Sequence, residues 1–194
     1  MYIYLVRHGE TEHNKQEIVQ GRSDIPLNET GKQQAREVQP VFKDKSFEAM
    51  IVSPLIRTRQ TGDILIEEAK VDKIVVDSRI IEKDFGVTEG IPIKERYSRY
   101  PDGHAPGEES YKIVRKRMKE AFDDYCQTYQ NDILVVSHGS AIAALIKELD
   151  PTKREGRIFL KNVSITIINS ETLEIEAINL DNKEAKEWYE KAKH

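Results

Sequence analysis

Short apolar runs rich in β-branched residues return along this chain at residues 2–6, 49–52, 73–76, 133–136, 164–168 and 174–178, and helix-patterned segments separate most of them. That alternation constrains the fold more than any other feature. Parallel neighbours need a long crossover, usually a helix, so strands that alternate with helices predict an α/β fold. The expected architecture is a three-layer sandwich: a mainly parallel sheet with helices on both faces. The last two runs, joined at Ser170-Glu171-Thr172, read as a hairpin, which makes part of the sheet antiparallel.

The intervening helices have recognisable stops and faces. Thr30 reads as the cap of a helix that runs through Ala35 and Val38 into Phe42. A second, carrying Ile64, Leu65 and Ala69, follows Pro54. A third starts near Ser110 and sets Ile113, Val114, Met118, Ala121, Phe122 and Tyr125 on one face at three- and four-residue spacing. The fourth, 141–149, is almost wholly apolar, and Asp150-Pro151 stops it. Residues 92–107, rich in Tyr, Arg, Pro, His and Gly, predict a loop with at most a short helix over one end of the sheet.

Composition excludes several classes of function. With 38% hydrophobic and 33% charged positions over 194 residues, the chain can bury a sizeable core and is neither disordered nor fibrous. No repeat, low-complexity tract or flexible linker divides it, so residues 1–194 are expected to form a single domain. The net charge of -4 advertises no broad basic face, so neither nucleic acid nor a membrane surface is an expected partner, and any arginine cluster must be local. No apolar run approaches the roughly 20 residues of a spanning helix. The apolar start lacks a signal peptide's basic region, longer core and cleavage site, and the expected compartment is the cytoplasm. Cys126, the single cysteine, has no intrachain partner and reads as a helix-packing residue.

In open α/β sheets ligands bind at the carboxyl ends of the strands, and here those ends carry chemistry. Arg7-His8-Gly9 follows the first run, and Ser137-His138-Gly139 follows the fourth in the same manner. After 49–52 comes Ser53-Pro54-Leu55-Ile56-Arg57, which puts Arg57 in the first turn of a helix, near its positive end. The third run leads into a segment rich in carboxylates, with Asp77, Glu82, Asp84 and Glu89 all close by. Two arginines, two histidines and a carboxylate around one point suit a phosphoryl group. Arginine holds phosphate bidentately and keeps its charge. Histidine near neutral pH offers a free ring nitrogen that can form a phosphoramidate for water to break. A single carboxylate can donate a proton to the leaving group and then take one from water.

The motifs carrying these residues resemble those of the histidine phosphatase superfamily, in its phosphoglycerate mutase-like branch. The signature L-V-R-H-G-E-T-x-x-N stands here as Leu5 through Asn14, followed by a Q-G-x-x-D-x-P-L-[TN]-x-x-G block from Gln20 to Gly31. S-P-L-x-R-[TA]-x-Q-T matches Ser53 to Thr61, L-x-E-x-D-F-G-x-x-E-G matches Ile80 to Gly90 with Ile for Leu, and V-V-S-H-G matches Val135 to Gly139. The resemblance covers at least residues 1–169. It implies one phosphoglycerate mutase-like domain in which His8 is the nucleophile that becomes phosphorylated. Arg7, Arg57 and His138 would complete the phosphate pocket, and Glu82 would be the proton donor and then the base. Asn14, Gln20, Gly21 and Gly139 would line the substrate site. The resemblance implies no metal and no cofactor; His8, His13, His104 and His138 are scattered, without metal-ligand spacing. Two positions depart from the pattern: Thr88, where many relatives carry tryptophan, and Glu108, where many phosphatase relatives carry a second glycine.

The family includes phosphatases, mutases and non-catalytic scaffolds. The intact catalytic set disfavours a scaffold. The interval from Gly90 to the run at Ile133 is mostly filled by the Ser110 helix, leaving no room for the inserted segments that close over the pocket in cofactor-dependent mutases. The expected function is therefore hydrolysis of small phosphorylated metabolites, with mutase-type transfer as the alternative. Lys94, Arg96 and Arg99 either meet a second anionic group of the substrate or form a solvated face. The charged segment 181–194, with Trp188 beside Tyr189, either docks on the body or makes a homodimer contact.

Overall fold

The computed structural model describes residues 1–192. Its strands in chain order are β1 (Tyr2–Arg7), β2 (Ser46–Phe47), β3 (Ala49–Val52), β4 (Lys70–Val71), β5 (Ile74–Val76), β6 (Ile133–Ser137), β7 (Ile165–Asn169) and β8 (Ile175–Leu180). The helices are α1 (Glu12–Lys15), α2 (Glu29–Val38), α3 (Ile56–Leu65), α4 (Ile93–Arg99), α5 (Tyr111–Thr128), α6 (Gly139–Leu149) and α7 (Asn182–Ala192). Six strands form one sheet in the order β5-β3-β6-β1-β7-β8. β5, β3, β6 and β1 run parallel, while β7 and β8 are antiparallel, as the hairpin signal predicts. β2 and β4 pair in a separate two-stranded sheet, too short to have left a periodic signal in the sequence.

The central strands are apolar on both faces because both are covered. Ile3, Leu5, Ile51, Ile133 and Val135 pack against α5 and α6, whereas Tyr4, Val6, Met50, Val52, Leu134 and Val136 pack against α2, α3 and α7. Successive side chains of a strand point to opposite faces, so these near-continuous apolar runs feed two cores and give the three layers. At the far edge, Ile74 and Val76 of β5 stay exposed.

Several helix boundaries differ from the sequence reading for local reasons. Asn28, not Thr30, caps α2: its side chain accepts from the Gly31 N–H at 2.8 Å, leaving Thr30 inside the first turn. The helix ends at Val38 and tightens into a 3-10 turn at Gln39–Val41, where Pro40 has no N–H to donate. α3 stops at Leu65, so Ala69 lies beyond it. Ser110 caps α5 as expected. However, Ile113 is 55% exposed while Val114, Met118, Ala121, Phe122 and Tyr125 are buried; it sits one position off the inward stripe, about 100° around the helix. α7 docks on the body, with Trp188 edge-on to Tyr2 at 5.3 Å and Tyr189 over Tyr4 at 5.4 Å between ring centres. Residues 193 and 194 of the C-terminal segment lie outside the described residues. Among the described residues no helix is long and apolar enough to cross a membrane.

The capping assignment is testable. Asn28→Ala should lower the unfolding free energy by about 1 kcal/mol, while Thr30→Ala should be neutral or slightly stabilising, because alanine is the better helix former. Urea denaturation of both variants measures the difference.

Candidate active site

The parallel pairing of β1 with β6 sets Arg7 opposite Ser137, so His8 and His138 leave their strands side by side. The His8 N–H donates to the Ser137 carbonyl at 3.0 Å, and the two imidazole rings lie 5.2 Å apart. β3, on the other side of β6, delivers Ser53 and the helix that carries Arg57. All of these groups are at the carboxyl ends of parallel strands, where the crevice of an α/β sheet is expected.

His8 is 2% exposed, and its Nδ1 lies 2.7 Å from the Gly9 carbonyl oxygen. A carbonyl only accepts, so Nδ1 carries the proton and the neutral ring keeps its lone pair on Nε2. Burial first, then the neighbouring charges of Arg57 and Arg7, hold His8 well below its ordinary 6.5. His138 is driven down in the same way by burial, Arg57 and His8. Its Nε2 is 2.7 Å from the Ser53 hydroxyl, and its buried Nδ1 has no protein partner.

Two guanidiniums converge on this pair. Arg57 is fully buried and donates to the carbonyls of Ser23 at 2.8 Å and Gly21 at 2.7 Å. Burial pushes it down to about 10, which leaves it charged at neutral pH. Arg7 donates to the Leu160 carbonyl. The Nε–H of each arginine is buried without a partner. Unpaired buried donors are costly, and two on fixed cations beside a neutral imidazole mark a place made for an anion. Gly139 leaves this space open: a Cβ there would come within 3.4 Å of Arg7 Nε.

Of the carboxylates following β5, Glu82 is the one that reaches the cleft. It accepts from the backbone N–H groups of Ser140 and Ala141 at the start of α6, each at 3.1 Å, and from that of Lys83 at 2.8 Å. Asp77 is engaged instead by Arg79 and Tyr125. Glu89 takes the backbone N–H groups of Arg22 and Ser23 and the Ser23 hydroxyl, which fixes the loop behind Arg57. Asn14 and Gln20 line the cleft, with Gln20 accepting from the Thr11 hydroxyl at 2.7 Å. Gly21 stands behind Arg57; its missing side chain makes room for Glu89, and its carbonyl orients the guanidinium.

Other supports gave no signal in the sequence. Arg117 donates to the carbonyls of Arg79, Ile81 and Glu82 and pairs with Glu109, which holds the Glu82 segment against α5. Asn162 donates to the His8 carbonyl at 3.0 Å. Both act on backbone atoms far away in sequence, so no spacing announces them. Arg96 is buried between the Gly103 carbonyl and Glu108, and Glu108 also pairs with buried Lys83. Of the cations in the α4 segment, Arg96 is thus committed to the protein, and Arg99 pairs with Glu95. Among the described residues no group of three or more His, Cys, Asp or Glu side chains is placed to hold a metal ion.

The histidines also fix how stability depends on pH. Their folded values lie below the unfolded 6.5, so the unfolded chain binds more protons as pH drops below that value. Stability is therefore complete above about 6.5 and is lost beneath it, by up to about 1.4 kcal/mol per pH unit per histidine. Urea unfolding at stepped pH should give a shallower acid slope for His8→Asn and for His138→Asn than for the parent chain.

Comparison with known proteins identifies the family. The family described as histidine phosphatase superfamily (branch 1) matches residues 3–182. The chain is 39% identical over 160 residues to the "Uncharacterized phosphatase PhoE" of Bacillus subtilis strain 168, covering 80% of this chain and 82% of that protein. It is 36% identical over 183 residues to the "Probable phosphoglycerate mutase GpmB" of Salmonella choleraesuis, covering 87% and 85%. Among solved structures, a phosphoserine phosphatase from Entamoeba histolytica in complex with 3-phosphoglyceric acid superposes with a TM-score of 0.76 at 28% identity, over 92% of this chain and 96% of that one. Arg7, His8, Glu82 and Gly139 line one cleft, with Arg57 and His138 buried beside His8, and with a family match along nearly its whole length the chain belongs to the histidine phosphatase superfamily, branch 1.

Proposed function

We propose that the protein hydrolyses phosphomonoesters of small metabolites through a phosphohistidine on His8, without a metal ion. The observation that carries this reading is the neutral His8, with its lone pair on Nε2, set among two arginines whose Nε–H groups have no partner. Nε2 attacks phosphorus as the bond to the leaving oxygen breaks, and Arg7, Arg57 and His138 Nδ1 hold the equatorial oxygens. Protonated Glu82 gives its proton to the leaving alkoxide. The resulting carboxylate then takes a proton from the water that breaks the N–P bond, releasing inorganic phosphate and restoring both groups. Support for hydrolysis comes from the likeness to the Bacillus and Entamoeba proteins, both named as phosphatases. It also comes from the short α4, the one helix between Gly90 and α5, which offers little to shield a phosphohistidine from water. The likeness to the GpmB protein favours a second reading, transfer between positions of a phosphoglycerate by the same phosphohistidine.

The test is phosphate release from p-nitrophenyl phosphate, 3-phosphoglycerate, sugar phosphates, nucleotides and phosphoamino acids, in the presence of EDTA. Release should persist with the chelator, vanish in His8→Ala, and proceed through an acid-labile phosphoenzyme trapped by rapid quench. Interconversion of phosphoglycerates faster than phosphate release would instead establish the mutase. Glu82→Gln should lower kcat/KM by roughly 10²–10⁴ for alkyl esters and much less for p-nitrophenyl phosphate, whose leaving group needs no proton.

A further inference from the structure

The cleft above His8 is far larger than a phosphoryl group. Its volume is ≈ 540 Å³, within the range of sites for whole drug-sized ligands. α6 supplies a ruler along it. Gly139 and Ser140 lie at the catalytic floor, Ala143 and Ala144 line the next turn, and Lys147 lines the turn after that, roughly 12 Å along the axis from Gly139. Two links bring other cations to the level of Lys147. Its ammonium donates to the Gly156 carbonyl at 2.6 Å, which draws in the loop bearing Arg154 and Arg157. Arg115 of α5 meets Glu148, the residue next to Lys147, at 3.4 Å. Arg115, Lys147, Arg154 and Arg157 all line the cleft.

Four cations on one wall are unexpected in a chain of net charge -4, and most have no counter-charge. Arg157 donates to the neutral Tyr97 hydroxyl at 3.2 Å, and Lys147 meets a backbone carbonyl. The Arg154 side chain has no protein partner among the described residues; only Arg115 is ion-paired. The two carboxylates that line the cleft are already engaged. Glu82 is held by backbone N–H groups, and Glu108 lies between Lys83 and Arg96. Between floor and wall the lining is apolar, with Ala143, Ala144, Ile158 and Leu160.

We infer that this far wall is a second anion subsite. The substrate is a phosphomonoester whose apolar midsection crosses the cleft and whose other end carries a carboxylate or a second phosphate. The inference rests on the reading of Arg7, His8 and Arg57 as the phosphoryl site, and it assigns the second anion to residues 147–157 and Arg115 instead of the α4 cations.

Non-hydrolysable phosphonates separate the two claims. Binding to the intact protein is measured by calorimetry for alkylphosphonates of increasing length and for the same compounds bearing an ω-carboxylate or an ω-phosphonate. At a chain length that spans the cleft, the added anion should tighten binding roughly tenfold, and the gain should shrink with salt because the wall is solvent-exposed. In the charge-reversed variant Arg154→Glu/Arg157→Glu the preference should invert. Absence of a gain at every length, or a gain that survives charge reversal, overturns the subsite. If the plain alkylphosphonates do not bind at all, the phosphoryl-site reading fails and takes the subsite with it, whereas plain binding without the gain refutes the subsite alone.

Discussion

The backbone pairing of β1 with β6 is the interaction on which the rest depends. It is parallel and in register from Ile3 opposite Ile133 to Arg7 opposite Ser137, so two histidines that follow equivalent strand ends emerge as neighbours. A slip of one residue would send each side chain to the opposite face. The alternation of Ile3 and Leu5 toward one core with Tyr4 and Val6 toward the other forbids that slip, because both faces are filled. The packing that stabilises the sheet thus also sets the geometry of the cleft, far more rigidly than a loop could.

Around those histidines the fold concentrates positive charge in a dry place. Arg57 is satisfied by main-chain carbonyls of Gly21 and Ser23, and Arg7 by that of Leu160. Carbonyl partners orient a guanidinium without cancelling its charge, as a carboxylate would. Both imidazoles respond by staying neutral. The site is consequently least comfortable when empty, and an oxyanion relieves the unpaired donors and the mutual repulsion of the arginines together.

The sheet and the strand-end chemistry were legible because each has a local signature: β-branched runs, a hairpin turn, and Arg-His or Ser-His immediately after a strand. The α5 face was legible from Val114 onward, but Ile113 shared the spacing without sharing the face. The cap of α2 lies two residues before the position that the sequence pattern suggests, because Asn28 and Thr30 are both good capping types and only the Gly31 hydrogen bond separates them. Glu82 could not be singled out from its neighbouring carboxylates without the resemblance, since what distinguishes it is the start of α6, a remote segment. Arg117 and Asn162 were illegible for the same reason: their partners are carbonyls that only the fold brings near.

Glu108 joins Lys83, which directly follows Glu82, to Arg96 on α4, with all three side chains withdrawn from water. Removing one member of such a buried group strands the charges of the others, at a cost of about 3–5 kcal/mol. A change at position 83, 96 or 108 alone therefore unbalances the other two. A glycine at position 108 would leave Lys83 and Arg96 buried without their shared counter-charge. One buried carboxylate thus ties the segment that carries Glu82 to α4 on the other side of the cleft.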